Sequence, residues 1–235
     1  MGEFTTISDL LKIDTAQFRE RDAEIQAWEK AQDLRAKKER YQRQVPERYW
    51  SESIDTYKTD TEERRKAKAK AESFIQAVKC GKFQTLVFLG TVGTGKTHLA
   101  SGIVYECGGL YRLAPAIVEE IRRAKSFNAK ETEADILDTY GRASLLVIDE
   151  IGRGVVAAEE QYMLYQIINE RYNRRKPTVL ISNQNKKDFL NYVGIAAADR
   201  LTESAQVVEF TGQSYRAVIR RSVGGGLNEA RPAGV

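Results

Sequence analysis

At 235 residues the chain has room for about one to one and a half domains of ordinary size. Hydrophobic residues at 42% and charged residues at 30% exclude a disordered or collagen-like polymer and describe a globular protein with an unusually charged portion. The net charge of +4 permits nucleic acid as a partner without demanding it, and no apolar run nears the roughly 18 residues of a membrane span, so a cytoplasmic protein with no membrane partner is expected. Two cysteines, Cys80 and Cys107, are too few for a zinc cluster or a disulfide framework.

In chain order, residues 1–48 read as a charged helical arm. "QFRERDAEIQAWEKAQDLRAKKERYQRQ" holds no Gly or Pro and spaces Phe18, Ile25, Trp28 and Leu34 at wide, roughly helical intervals. So few apolar positions cannot form a core, so they meet the following domain, another copy or a different protein. Pro46 ends this stretch. A helix is expected from near Thr61, with Asp60 or Thr61 as cap and Glu62 and Glu63 complementing its dipole. Beyond it, strands at Thr85–Leu89, Leu110–Leu113, Ser144–Ile148, Thr178–Ser182 and Val207–Phe210 alternate with helices, the pattern of a buried parallel sheet. This gives an α/β domain over 49–222, and the glycine-rich 223–235 reads as a flexible tail.

"GTVGTGKTH" fits G-x-x-x-x-G-K-[ST] after an apolar strand and before a helix. Gly90, Thr91, Val92, Gly93, Thr94 and Gly95 supply a backbone that can cradle phosphates, Lys96 reaches the outer phosphates and Thr97 offers a hydroxyl to Mg2+. His98 follows directly; it can touch the nucleotide and is assigned no catalytic role. In "SLLVIDEIG" the strand tip presents Asp149, which can hold Mg2+ through water, and Glu150, which can orient and activate the attacking water. Asn183, after "PTVLIS", is an amide that can bond both γ-phosphate and water. Arg200, in "ADRL", can reach the γ-phosphate of a neighbouring subunit, and Arg216, in "GQSYR", that of its own; a surface or ion-paired arginine is the plainer alternative for each.

With these residues in order, the chain resembles the AAA+ ATPases of the bacterial DnaC and IstB group, helicase loaders and transposition helpers, over roughly residues 45–222. The resemblance implies a P-loop fold with a five-stranded parallel sheet in order 5-1-4-3-2 between helices; the group's usual C-terminal helical lid is not expected, because too few residues follow Arg216. It makes Lys96 and Thr97 the Walker A residues, Asp149 and Glu150 Walker B, Asn183 sensor 1, Arg200 an arginine finger and Arg216 a closing sensor-type arginine. It sets Tyr57 near the adenine, where packing in a core is the other explanation. The segment between the second and third strands resembles an inserted helical element that touches single-stranded DNA, with Arg122, Arg123, Lys125 and Phe127 as the candidates; a charged amphipathic helix with Phe127 turned inward is the alternative.

The resulting expectation is a slow Mg2+-dependent ATPase, stimulated by assembly or DNA, that loads a replicative DNA helicase gripped by the arm and self-assembles on single-stranded DNA. A transposition helper that binds duplex DNA and a transposase is the near rival. A nucleotide-held adaptor without productive hydrolysis is the rival of another class.

Overall fold

The computed structural model describes residues 15–154, 157–212 and 214. They fall into two units divided between Arg40 and Tyr41. Helix α1, Thr15–Gln44, supplies the first unit and enters the second with its last turn. It is 30 residues long, uninterrupted by Gly or Pro, and leaves Phe18, Ile25, Trp28 and Leu34 exposed. Phe18, Ile25 and Trp28 share one side of the helix by their spacing, and Leu34 lies on another.

The second unit begins with a connector. Tyr41 donates its hydroxyl to the Tyr49 carbonyl at 2.6 Å, and Trp50 donates its indole N–H to the Val45 carbonyl at 2.9 Å, so the chain around Pro46 is pinned by its own aromatics. A short 3-10 turn, Glu47–Tyr49, leads on to α2, Glu62–Lys79. Thr61 is the cap, accepting the Arg64 amide, and the apolar stripe Ala67, Ala71, Phe74, Ile75 is buried.

Then follow β1 (Thr85–Gly90), α3 (Lys96–Cys107), β2 (Leu110–Leu113), α4 (Ala114–Ala124), α5 (Glu133–Arg142), β3 (Leu146–Ile151), α6 (Ala157–Asn173), β4 (Thr178–Ser182), α7 (Lys186–Val193), α8 (Ile195–Ser204) and β5 (Ala205–Phe210). The five strands are all parallel, in order 2-3-4-1-5, which is the expected order read from the other edge. Strands β1, β3 and β4 are near-continuous apolar runs because each is covered on both faces. One core packs α2 and α3 against one side of the sheet; the other packs α4, α6, α7 and α8 against the opposite side. Among the described residues no helix is long and apolar enough to cross a membrane.

Three strands differ in their bounds from the sequence reading. Strand β1 runs one residue past Leu89, to Gly90. Strand β3 starts at Leu146 and continues through Asp149 and Glu150 to Ile151, rather than ending at Ile148. Strand β5 starts at Ala205, two residues earlier than Val207, because pairing with β1 runs from Ala205 while its side chains remain half-exposed at the sheet edge. Arg216 and the tail 223–235 lie outside the described residues.

Candidate nucleotide site

The strand order brings three chain segments to one end of the sheet. The loop after β1, the end of β3 and the residue after β4 all sit at the carboxyl ends of adjacent parallel strands, the place where open α/β sheets bind ligands. There a cavity of about 550 Å³ is lined by Val92–His98, Asp149, Glu150 and Asn183, with Tyr49, Thr56 and Tyr57 of the connector on its other side.

Within it Lys96, at the first turn of α3, is buried and donates to the carbonyls of Gly90 and Thr91, both at 2.7 Å. Burial lowers its ammonium to about 8, with Asp149 working in the opposite direction. This cation is held by neutral carbonyls inside an otherwise uncharged loop, an arrangement suited to an incoming anion. Thr94 closes the loop by donating to the Thr91 carbonyl at 2.9 Å.

Asp149 collects three donors. Thr97 donates its hydroxyl to Oδ2 at 2.8 Å, Tyr111 donates its phenol to the same oxygen at 2.6 Å, and the Glu150 amide donates to Oδ1 at 2.6 Å. The Tyr111 phenol is held well above its ordinary range, first by burial and then by the Asp149 charge, so it serves as a fixed donor. Thr97 and Asp149 thus meet where the sequence reading assigned Mg2+.

In a regular strand Asp149 and Glu150 would point to opposite faces. Here both line the cavity, and the reason is a bulge. Ile148 pairs with Leu180 and Ile151 with Ser182, so two residues of β3 oppose one of β4. Glu150 takes the left-handed conformation, φ +60°, and lines the same cavity as Asp149. Arg153 pairs with Glu150 at 3.2 Å.

Tyr57 lies over the phosphate loop: a Cβ on Gly95 would meet its ring at 2.7 Å, and Gly95 has φ +99°. Its hydroxyl is buried without a hydrogen-bond partner among the described residues, and burial pushes the phenol up to about 12. A buried donor left unmatched beside a buried cation fits a phosphorylated, hydroxyl-bearing ligand. The ring also meets His98 edge-on at 5.2 Å. His98 fastens the connector to α3: Nε2 donates to the Ser53 carbonyl at 2.8 Å, and Nδ1 faces the Glu52 carboxylate. Tyr57 is thus packed, as the second explanation has it, and its ring also borders the cavity.

The remaining candidates lie elsewhere. Arg200, on α8, has its guanidinium 5.1 Å from the centre of the Tyr172 ring and within 3.2 Å of Asp199. It borders a small cavity with Thr85 and Thr178, the first residues of β1 and β4, at the opposite end of the strands from the phosphate loop. At the end of α4, Arg122 pairs with Glu159 at 2.6 Å and Arg123 with Glu119 at 3.4 Å, while Lys125 pairs with Glu133 at 3.3 Å. Phe127 is fully exposed, so the inward-packed alternative fails. The sequence reading missed Tyr111 and Arg153.

A family model of the IstB-like ATP-binding proteins matches residues 14–222. The chain belongs to that family. Among similar proteins, the replicative helicase loader DnaC of Escherichia coli K12 is 28% identical over 169 residues, covering 70% of this chain and 69% of its own. A putative ATP-binding protein of insertion sequence IS232 from Bacillus thuringiensis subsp. berliner is 34% identical over 143 residues, 57% of this chain and 56% of its own. Among solved structures, the DnaC helicase loader superposes with a TM-score of 0.63 at 20% identity, covering 71% of this chain and all of its own. The initiator DnaA bound to AMPPCP and single-stranded DNA gives 0.56 at 20% identity, covering 80% and 58%. These likenesses establish an AAA+ fold, and membership of the IstB-like family makes this a nucleotide-binding protein of the ATPase class.

Proposed function

We propose that the protein is an ATP-dependent loader of a replicative DNA helicase, in which ATP and Mg2+ control assembly on single-stranded DNA and hydrolysis controls release. The observation that carries this reading is the separation of Arg200 from its own cavity, with the phosphate loop, Asp149, Glu150 and Asn183 at one end of the strands and Arg200 beside the other. An arginine in that position serves a neighbour's γ-phosphate better than its own, and a finger supplied in trans is worth roughly 10³–10⁵ in rate. The isolated subunit is then a slow ATPase, and turnover reports assembly.

In the cavity, Lys96 and the Gly90–Gly95 backbone would hold the phosphates, Thr97 and Asp149 would hold Mg2+, which when bound would supply charge neutralisation, and Glu150 with Asn183 would orient water. Tyr57 and His98 would border the nucleotide. Single-stranded DNA is favoured because Phe127, just past the end of α4, offers an exposed ring for base stacking. The exposed side Phe18, Ile25, Trp28 suits a helicase surface.

The IS232 relative supports a second reading, a transposition helper that binds duplex DNA and a transposase. Light scattering of the full chain with a replicative helicase, compared with its Ile25→Ala/Trp28→Ala variant, separates the two. A complex lost in the variant supports the loader. No complex, together with preference for duplex over single-stranded DNA, supports the transposition helper. Turnover unaffected by Glu150→Gln would support the adaptor instead.

A further inference from the structure

Helix α6 opens with a carboxylate that none of the nucleotide motifs contains. Glu160 is completely buried, and its partners are two backbone amides: Oε1 accepts Gly152 N–H at 2.6 Å and Oε2 accepts Gly154 N–H at 2.8 Å. Tyr192 lies against it; burial first, and the Glu160 charge second, raise that phenol well above its ordinary range. A buried carboxylate is costly, and charge-assisted hydrogen bonds to amides are what make it tolerable.

Gly152 and Gly154 belong to the turn directly after Asp149 and Glu150. The fit at Gly154 leaves no room for a side chain, because a Cβ there would lie 2.2 Å from Glu160 Oε2. On its other side the same turn is tied to the strand that carries Asn183: Ser182 donates to the Ile151 carbonyl at 2.8 Å, and Gln184 packs against Gly152. Within the turn Arg153 N–H closes on the Glu150 carbonyl at 3.3 Å. Glu150 therefore occupies its left-handed conformation between two anchors, the β4 end and Glu160.

We infer that Glu160 is a positioning residue for hydrolysis: by clamping the amides of Gly152 and Gly154 it fixes the direction in which Glu150 meets the attacking water. This rests on the reading of Glu150 as the water-orienting group. A carboxylate accepts from both amides, whereas an amide side chain accepts from one and turns an N–H toward the other. Displacing a reacting group by about 1 Å can lower a rate roughly 10²-fold. The clamp thus acts on kcat and leaves nucleotide affinity alone.

The test uses the full chain under assembled, DNA-stimulated conditions, with Glu160→Gln, Gly154→Ala and the double variant. Each single variant attacks the same contact from opposite sides. The expected result is a fall in kcat of about 10- to 100-fold in each, KM and the Kd of a fluorescent ATP analogue within about twofold of the parent, and a double variant no slower than the slower single one. If kcat stays at the parent value in both singles while Glu150→Gln stops turnover, Glu160 is only an anchor for the start of α6 and the inference fails. It fails equally if kcat, affinity and melting temperature fall together in both singles. If Glu150→Gln itself turns over normally, the reading of Glu150 fails, a result distinct from either.

Discussion

Arg171 on α6 offers a direct trial of how this fold is held. Its guanidinium is 1% exposed and bonds Thr178 Oγ1 at 2.8 Å, the Ala143 carbonyl at 3.0 Å, the Pro177 carbonyl at 2.6 Å and the Tyr140 carbonyl. It ties the end of α5 to the start of β4. Arg171→Met keeps much of the volume and removes every donor. A buried acceptor left unmatched costs about 1–3 kcal/mol. The Pro177 carbonyl keeps the Leu146 amide at 3.4 Å, so the loss falls mainly on Tyr140 and the half-buried Ala143 and comes to about 4 kcal/mol. Against it stands relief: burial lowers the guanidinium from 12.5 to about 10, equivalent to about 3 kcal/mol of desolvation that Met does not suffer. At pH 7.5 the group is charged folded and unfolded, so that relief applies in full; it would fade only as pH rises beyond about 10.

Stranded acceptors therefore win by about 1 kcal/mol, which for a domain of this size lowers the melting temperature by about 2–4 °C. Differential scanning calorimetry measures it, and nucleotide affinity should not move, because these contacts lie at the strand starts. A melting temperature equal to or above the parent's would refute the reasoning, since desolvation would then outweigh the hydrogen bonds, as it does for some buried ionic clusters.

Three further outcomes concern the nucleotide site. With Lys96 lowered to about 8 by burial, and only its ammonium form attracting phosphate, affinity for metal-free ADP should be level below about pH 7 and weaken toward tenfold per pH unit above 8; calorimetric titration from pH 6.5 to 9.5 reads it, and a flat profile rejects it. Gly95→Ala adds a Cβ 2.7 Å from the Tyr57 ring at φ +99°, so nucleotide affinity should fall by more than about tenfold, and parent-like binding would show that the loop adjusts freely. Tyr111→Phe removes one of the three donors to Asp149; the Mg2+ concentration for half-maximal nucleotide binding should rise about 10-fold or more while metal-free affinity holds, and an unchanged Mg2+ requirement would make Tyr111 a packing residue alone.

Much of this architecture is legible in the sequence because the strands are buried on both faces. "TLVFLG" and "TVLIS" are unbroken apolar runs with turn residues on either side, and the second is bounded to the residue. Strand β3 departs from its expected bounds at both ends for one reason: its apolar run begins and stops earlier than its backbone ladder, which continues through two carboxylates. The phosphate loop is readable because backbone conformation, helix start and lysine are all specified within eight residues. Tyr111 escapes a reading of the sequence because it reaches Asp149 from β2 through a contact 38 positions apart, and Glu160 because its bonds to the nearby Gly152 and Gly154 amides follow no motif. A signal existed for Glu160 and Arg171: both occupy the repeat that buries Leu164, Ile167 and Ile168, so charge on that stripe had to be buried.

The bulge in β3 makes the acidic pair a property of the backbone as much as of two side chains. Were residue 150 to relax into extended geometry, its side chain would cross to the other face of the sheet while Asp149 stayed, and the two carboxylates would part company. The chemistry can thus be abolished with both acids still present, by any change that straightens one residue. It also narrows what position 150 accepts: an unbranched side chain can follow this turn, whereas valine, isoleucine or threonine would meet a conformation hostile to branching at Cβ.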